Sequence, residues 1–219
     1  IMFVLLFTYV FGGQMAGSPR EYLQYALPGI IVQNSLFATM YTAIGLNTDL
    51  TKGVFDRLRS LPIARSAPLL GRIGADMTKQ VWAAFLMLGI GAILGYRLRT
   101  GFLPMLGAVA VVLVFALAMS WLSALIGMKA SDPEKVQVFG FTMIFPITFT
   151  SSAFVRAETM PGWLQAWVEV NPVTHLSDTF RGLVNGGPVA SPALWSMAWA
   201  AAVAAVFVPL CMRAYRHRS

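Results

Sequence analysis

The 219-residue chain is 57% hydrophobic and only 11% charged, with a mean hydropathy of +0.68. A soluble domain carries roughly 25% charged residues, so this chain has too few polar groups to coat a folded surface, and its apolar mass equally excludes disorder. The net charge of +7 comes from 16 basic and 9 acidic residues, and the bases sit in short clusters between apolar runs, a pattern of membrane topology and anionic lipid rather than of a nucleic-acid groove.

A hydrocarbon core of about 30 Å needs about 20 apolar residues in a helix. The first apolar stretch, 1–11, reaches only about 17 Å. It is expected to be the outer part of a first span whose cytoplasmic half precedes this sequence. The rival reading is a signal-peptide core followed by Gly12, Gly13, Ala16 and Gly17, against which the lack of a basic n-region argues. Five longer segments follow, at 26–46, 80–96, 102–128, 136–155 and 193–212. The expected fold is therefore all-α: a polytopic membrane protein with six transmembrane helices, the first truncated, in one membrane domain over 1–219.

The loops set the orientation. Loops 47–79 and 129–135 and the tail 213–219 hold eleven bases, whereas the other side holds five, Arg20, Arg97, Arg99, Arg156 and Arg181. The excess of bases places the first group, and the C-terminus, in the cytoplasm of a multi-pass plasma-membrane protein.

In the loop after the second span, Val54, Phe55, Leu58 and Leu61 fall at helical spacing, Asp56, Arg57 and Arg59 lie on other faces, and Pro62 stops the run. The spacing predicts a short amphipathic helix over 53–61, beginning at Gly53. It either lies on the headgroups or docks on a cytoplasmic partner.

Polar residues in spans are costly in hydrocarbon, so they mark pathway candidates. They are Gln33, Asn34 and Tyr41 in the second span and Thr142, Thr148 and Ser151 around Pro146 in the fifth; helix packing and repair of the proline kink are the alternative roles. No charge sits at a mid-span position, which argues against an ion-coupled secondary carrier. Beyond the fifth span, Trp163, Trp167 and Val170 form one helical stripe. After the break at Asn171-Pro172, Leu176, Phe180 and Leu183 form another, with Asp178 and Arg181 a turn apart. Residues 161–184 read as an outer helical hairpin in the outer leaflet or as an aromatic belt on an external loop.

Several chemistries are excluded. Cys211 has no second thiol, and His175 and His217 are the two histidines, so no metal centre is expected. The lysines Lys52, Lys79, Lys129 and Lys135 follow Thr, Thr, Met and Glu, so no phosphate-binding Gly-Lys-Ser/Thr loop exists. Gly89-Ile-Gly91-Ala-Ile-Leu-Gly95 sits mid-span, where small residues let helices approach. The chain is not expected to be an enzyme.

Gly53…Arg57-Leu58…Leu61-Pro62-Ile-Ala-Arg65 resembles the cytoplasmic motif of type-2 ABC exporter permeases. Ser152-Ala-Phe154…Met160-Pro-Gly-Trp-Leu-Gln165…Asn171-Pro-Val-Thr174…Arg181-Gly182…Gly186 is similar to the external signature of their daunorubicin-resistance branch. The resemblance covers nearly the whole chain. It implies six spans per subunit, an elbow helix ahead of the first, and a coupling helix at 53–61. It further implies a second permease copy or paralogue, two ABC-type ATPase subunits that hold the ATP and magnesium, no cofactor on this chain, and surrounding membrane lipids but no nucleic acid. The function it implies is export of amphiphilic drugs or lipids by alternating access, with a polysaccharide exporter or an ion-coupled carrier as alternatives.

Overall fold

A computed structural model describes residues 2–12, 18–54 and 67–217, and among them every regular element is helical. The helices are α1 (Met2–Leu6, running on into a widened turn at Phe7–Phe11), α2 (Pro19–Thr51), α3 (Ala67–Ile93) and α4 (Phe102–Lys129). They continue as α5 (Pro133–Phe149), α6 (Gly162–Val170), α7 (Pro172–Asn185) and α8 (Ala190–His217), with a single short turn of helix at Ala157–Thr159. Among the described residues α2, α4 and α8 are long and apolar enough to cross a membrane.

Three helices start by the same local device. Ser18 accepts the Glu21 backbone N–H at 3.2 Å, Asp132 accepts that of Lys135 at 2.8 Å, and Asn171 accepts that of Val173 at 2.9 Å. A proline follows each cap, where its missing N–H costs nothing and its fixed φ suits the first helical turn.

Helix α2 is the centre of the bundle: it packs on α3, α4, α5 and α7, while α8 packs on α4 and α7. Two glycines set how close α2 comes to its neighbours. A Cβ on Gly29 would lie 2.1 Å from the Ala153 carbonyl oxygen, and one on Gly127 of α4 would lie 2.5 Å from that of Ala43. No side chain fits at either contact, so the packing of α2 depends on small residues.

Two expected segments differ in extent from the helices that hold them. The loop expected over 47–79 is largely helix, since α2 runs to Thr51 and α3 begins at Ala67. Arg72 and Lys79, counted among the bases of that loop, stand four and three residues from Asp76 and pair with it along one helix face. The helical part of 136–155 ends at Phe149, after which the chain turns while staying buried from Ser151 to Phe154. Composition alone made that buried turn look like the rest of the span.

The two ends of the bundle differ. At one, Asn47 of α2 donates to the carbonyls of Gly127 (2.8 Å) and Ala130 (2.9 Å), closing the foot of α4. At the other, the Arg99 N–H bonds the Val184 carbonyl at 3.0 Å and the Tyr96 hydroxyl bonds Asn185 at 2.9 Å. Arg97 and Arg99 therefore lie at the same end as α6 and α7.

Candidate functional site

Three sites emerge: a knot at the α6–α7 end, an aromatic groove along α2 and α5, and a charged clasp at the foot of α2 and α3.

The knot begins from a backbone problem. Residues 150–155 leave the helix while 151–154 stay buried, and buried non-helical backbone must find its donors and acceptors within the protein. Arg181 of α7 serves two of the carbonyls. Its Nη2 donates to the carbonyls of Ser152 and Ala153, each at 2.8 Å, its Nε donates to the Tyr25 carbonyl at 3.0 Å, and its Nη1 pairs with Asp178 at 2.7 Å. The guanidinium lies 3.8 Å from the Tyr25 ring centroid, a cation–π contact. Tyr22 and Tyr25 complete the set by donating to the carbonyls of Phe154 (3.1 Å) and Ser152 (2.7 Å). Asn171 does the same one step earlier, donating to Ile147 (2.8 Å) and Thr150 (3.3 Å) while capping α7. Pro172 stands at the first turn of α7 behind that cap.

The apolar face of α7 points inward, with Leu176 and Phe180 buried, whereas Trp163, Trp167 and Val170 of α6 are 76%, 47% and 55% exposed. Helix α6 packs on α7 and the short turn before it. Its one tether from a tryptophan runs from Trp167 Nε1 to the Thr150 hydroxyl at 2.8 Å. The exposed stripe is the kind of surface that seeks headgroup depth. His175 stacks on Trp195 with centroids 5.7 Å apart, and burial holds its imidazole below the ordinary value, which favours the neutral form.

The groove lies between α2 and α5. Gln33, Asn34 and Tyr41 come together there with Phe37, Phe141, Phe145 and Phe149 around a cavity of about 310 Å³. Gln33 is buried, whereas Tyr41 is 69% exposed. A ladder of stacked rings leads from it: Phe145–Phe149 at 4.2 Å, Phe149–Phe154 at 5.3 Å, Phe154–Phe7 at 4.8 Å and Phe7–Phe3 at 5.8 Å. The hydroxyls expected in a fifth span do not join these groups. Thr142 bonds back to Val138 (2.8 Å), Thr148 to Ile144 (2.7 Å) and Ser151 to Thr148 (2.5 Å). None of these bonds reaches the Thr142 carbonyl, the group that Pro146 deprives of a donor. The Phe141, Phe145, Phe149 row was readable at i, i+4 spacing, yet sequence reasoning weighted polar residues instead.

The clasp flanks the loop after α2. Arg72 bridges Asp49 of α2 at 2.7 Å and Asp76 of its own helix at 3.3 Å, and Lys79 reaches Asp76 at 2.9 Å. Asp76 is nearly buried. Sequence reasoning missed these four as a unit because Asp49 and Arg72 meet only in the fold. Gly53 has a φ of 68°, a left-handed turn that glycine adopts without strain, and Val54 is 38% exposed. Phe55, Asp56, Arg57, Leu58 and Arg59 lie outside the described residues.

Residues 1–184 match the ABC-2 type transporter family. The chain is 42% identical over its full length to the daunorubicin resistance ABC transporter permease protein DrrB1 of Streptomyces coeruleorubidus, covering 77% of that protein. It is 29% identical over its full length to the probable doxorubicin resistance ABC transporter permease protein DrrC of Mycobacterium tuberculosis, covering 79% of it. It is also 23% identical over 84% of its length to the doxorubicin resistance permease protein DrrB of the same species, covering 64% of that protein.

Proposed function

The chain belongs to the ABC-2 type transporter family, an integral membrane family of transport subunits, and from that premise we propose that it is the permease of an ATP-driven exporter of aromatic amphiphilic drugs. The observation that carries this reading is the α2–α5 groove. Rings line its walls and two amides and a phenol, Gln33, Asn34 and Tyr41, supply its polar groups. Such a wall stacks flat apolar faces and binds the polar edge of an amphiphile. The relatives' names, which specify daunorubicin and doxorubicin resistance, support the same cargo class.

Six spans are then supplied by α1, α2, α3, α4, α5 with its buried turn, and α8, with α6 and α7 as the outer hairpin. Residues 53–61 act as the coupling helix on a partner ATPase, which holds ATP and magnesium. Two permeases face each other along α2 and α5, and cargo crosses between them. The clasp gives the coupling helix its mechanical link: Asp49 and Arg72 tie the two helices that flank it, so displacement of 53–61 moves α2 and α3 together.

Two experiments test this. Co-purification of the chain from its native membrane should recover an ABC-type ATPase. For the topology, cysteine scanning in a Cys211→Ser background uses two exposed positions. Glu158→Cys should react with an impermeant thiol reagent from outside, and Ser131→Cys only after the cytoplasmic face is opened. The reverse labelling pattern contradicts the orientation.

A further inference from the structure

Helix α5 divides two grooves. Its Phe141, Phe145 and Phe149 edge faces the aromatic groove, and its Phe139 and Met143 edge faces a second cleft floored by α4 and walled by α8. This cleft exists because α5 leans on α2 and packs little on α4. It consists of two confluent cavities of about 200 and about 520 Å³ that share Leu122, Ile126, Phe139, Met143 and Phe207. The deeper one is apolar. Its two hydroxyls are already bonded, Ser123 to Thr39 at 3.0 Å and Thr148 to Ile144 at 2.7 Å. The outer one ends at two lysines, Lys129 and Lys135.

The charges at that mouth do not cancel. Lys135 is shared with Asp132 (3.2 Å) and the Ser131 hydroxyl (2.6 Å), so its charge is largely met. Lys129 has no ion-pair partner among the described residues. A long apolar cleft closed at one end by an uncompensated ammonium complements a molecule with apolar tails and an anionic head. Basic pockets between membrane helices hold lipid headgroups in this way. A cationic cargo would meet repulsion at the same mouth, which separates this cleft from the aromatic groove across α5.

We propose that the cleft between α5 and α8 is a binding site for one anionic phospholipid. Its acyl chains lie along Leu122, Met143 and Phe207, and its phosphate rests on Lys129 with Lys135 beside it. The site rests on these helices being in a membrane, not on the cargo reading, and occupancy would hold α5 against α2 from the side opposite the path.

The test is native mass spectrometry of the permease in complex with its ATPase, in detergent holding equal amounts of dioleoylphosphatidylglycerol and dioleoylphosphatidylcholine. One phosphatidylglycerol per permease should be retained about fivefold over phosphatidylcholine, the ratio one lysine charge provides. Lys129→Gln should remove that preference with no change in thermal midpoint. Leu122→Trp, which fills the shared wall, should reduce retention of both lipids. Equal retention of the two lipids, or an unchanged preference in Lys129→Gln, overturns the site. Displacement by glycerophosphoglycerol or inorganic phosphate overturns it too, since the lysines would then bind any anion without the cleft. Displacement by doxorubicin would assign the cleft to cargo instead. Because export and coupling are not read in this experiment, its failure leaves the exporter assignment standing.

Discussion

Arg181→Met is expected to lower the thermal midpoint of the purified permease by roughly 10 °C, and Asp178→Asn by far less. The methionine removes the donor to Ala153 and one of two donors to Ser152, while Tyr25 still serves Ser152. It also leaves Asp178 without its cation. A buried polar group left unpaired costs about 1–3 kcal/mol. Two or three such losses come to a few kcal/mol, and a chain of this size moves about 2–4 °C per kcal/mol. The ion pair by itself is a smaller matter, because the Asp178 side chain is 41% exposed and exposed pairs are worth about 0.2–1 kcal/mol. Arg181→Lys should recover only part of the loss: an ammonium on a flexible stem cannot present a planar fork to two adjacent carbonyls while stacking on Tyr25. If Asp178→Asn costs as much as Arg181→Met, then Arg181 serves the ion pair and not the turn.

Phe55→Asp is expected to abolish drug-stimulated ATP hydrolysis in the assembled transporter while leaving the amount of folded permease unchanged. The expectation follows from the proposed role of 53–61, where Phe55 and Leu58 anchor an amphipathic helix in a groove of the ATPase. Such interfaces concentrate their energy in a few apolar side chains. An unpaired carboxylate in a desolvated contact costs about 3–5 kcal/mol, enough to weaken the docking by a factor of roughly 150 to 4,000. Arg57→Glu should have a smaller, salt-dependent effect if Arg57 sits at the rim. Unchanged stimulation in Phe55→Asp would remove this segment from the coupling path.

The elements differ in how far the sequence revealed them. The break at Asn171-Pro172 and the turn-apart pair Asp178 and Arg181 were visible because caps and helical pairs are local features. That Arg181 bonds carbonyls 28 and 29 residues away was not, since it depends on a turn that apolar composition disguised as span. Gly29 carried no signal either: a glycine in a long apolar helix says nothing until the Ala153 carbonyl is found against it. The start of α3 at Ala67 was not seen because Arg72 and Lys79 were counted only as bases of the loop 47–79, although each stands at helical spacing from Asp76. Gln33, Asn34 and Tyr41 do share one groove. Thr142, Thr148 and Ser151 bond nearby carbonyls of their own chain segment, because a hydroxyl in a helix finds the preceding turn before it finds a ligand.

The most direct test of the account is transport by the permease reconstituted with its partner ATPase in sealed vesicles. Doxorubicin uptake into inside-out vesicles should require ATP, persist when ionophores collapse the proton and sodium gradients, and be absent without the ATPase subunit. Uptake that proceeds without ATP and stops when the gradients are dissipated would contradict the account and make the chain a secondary carrier.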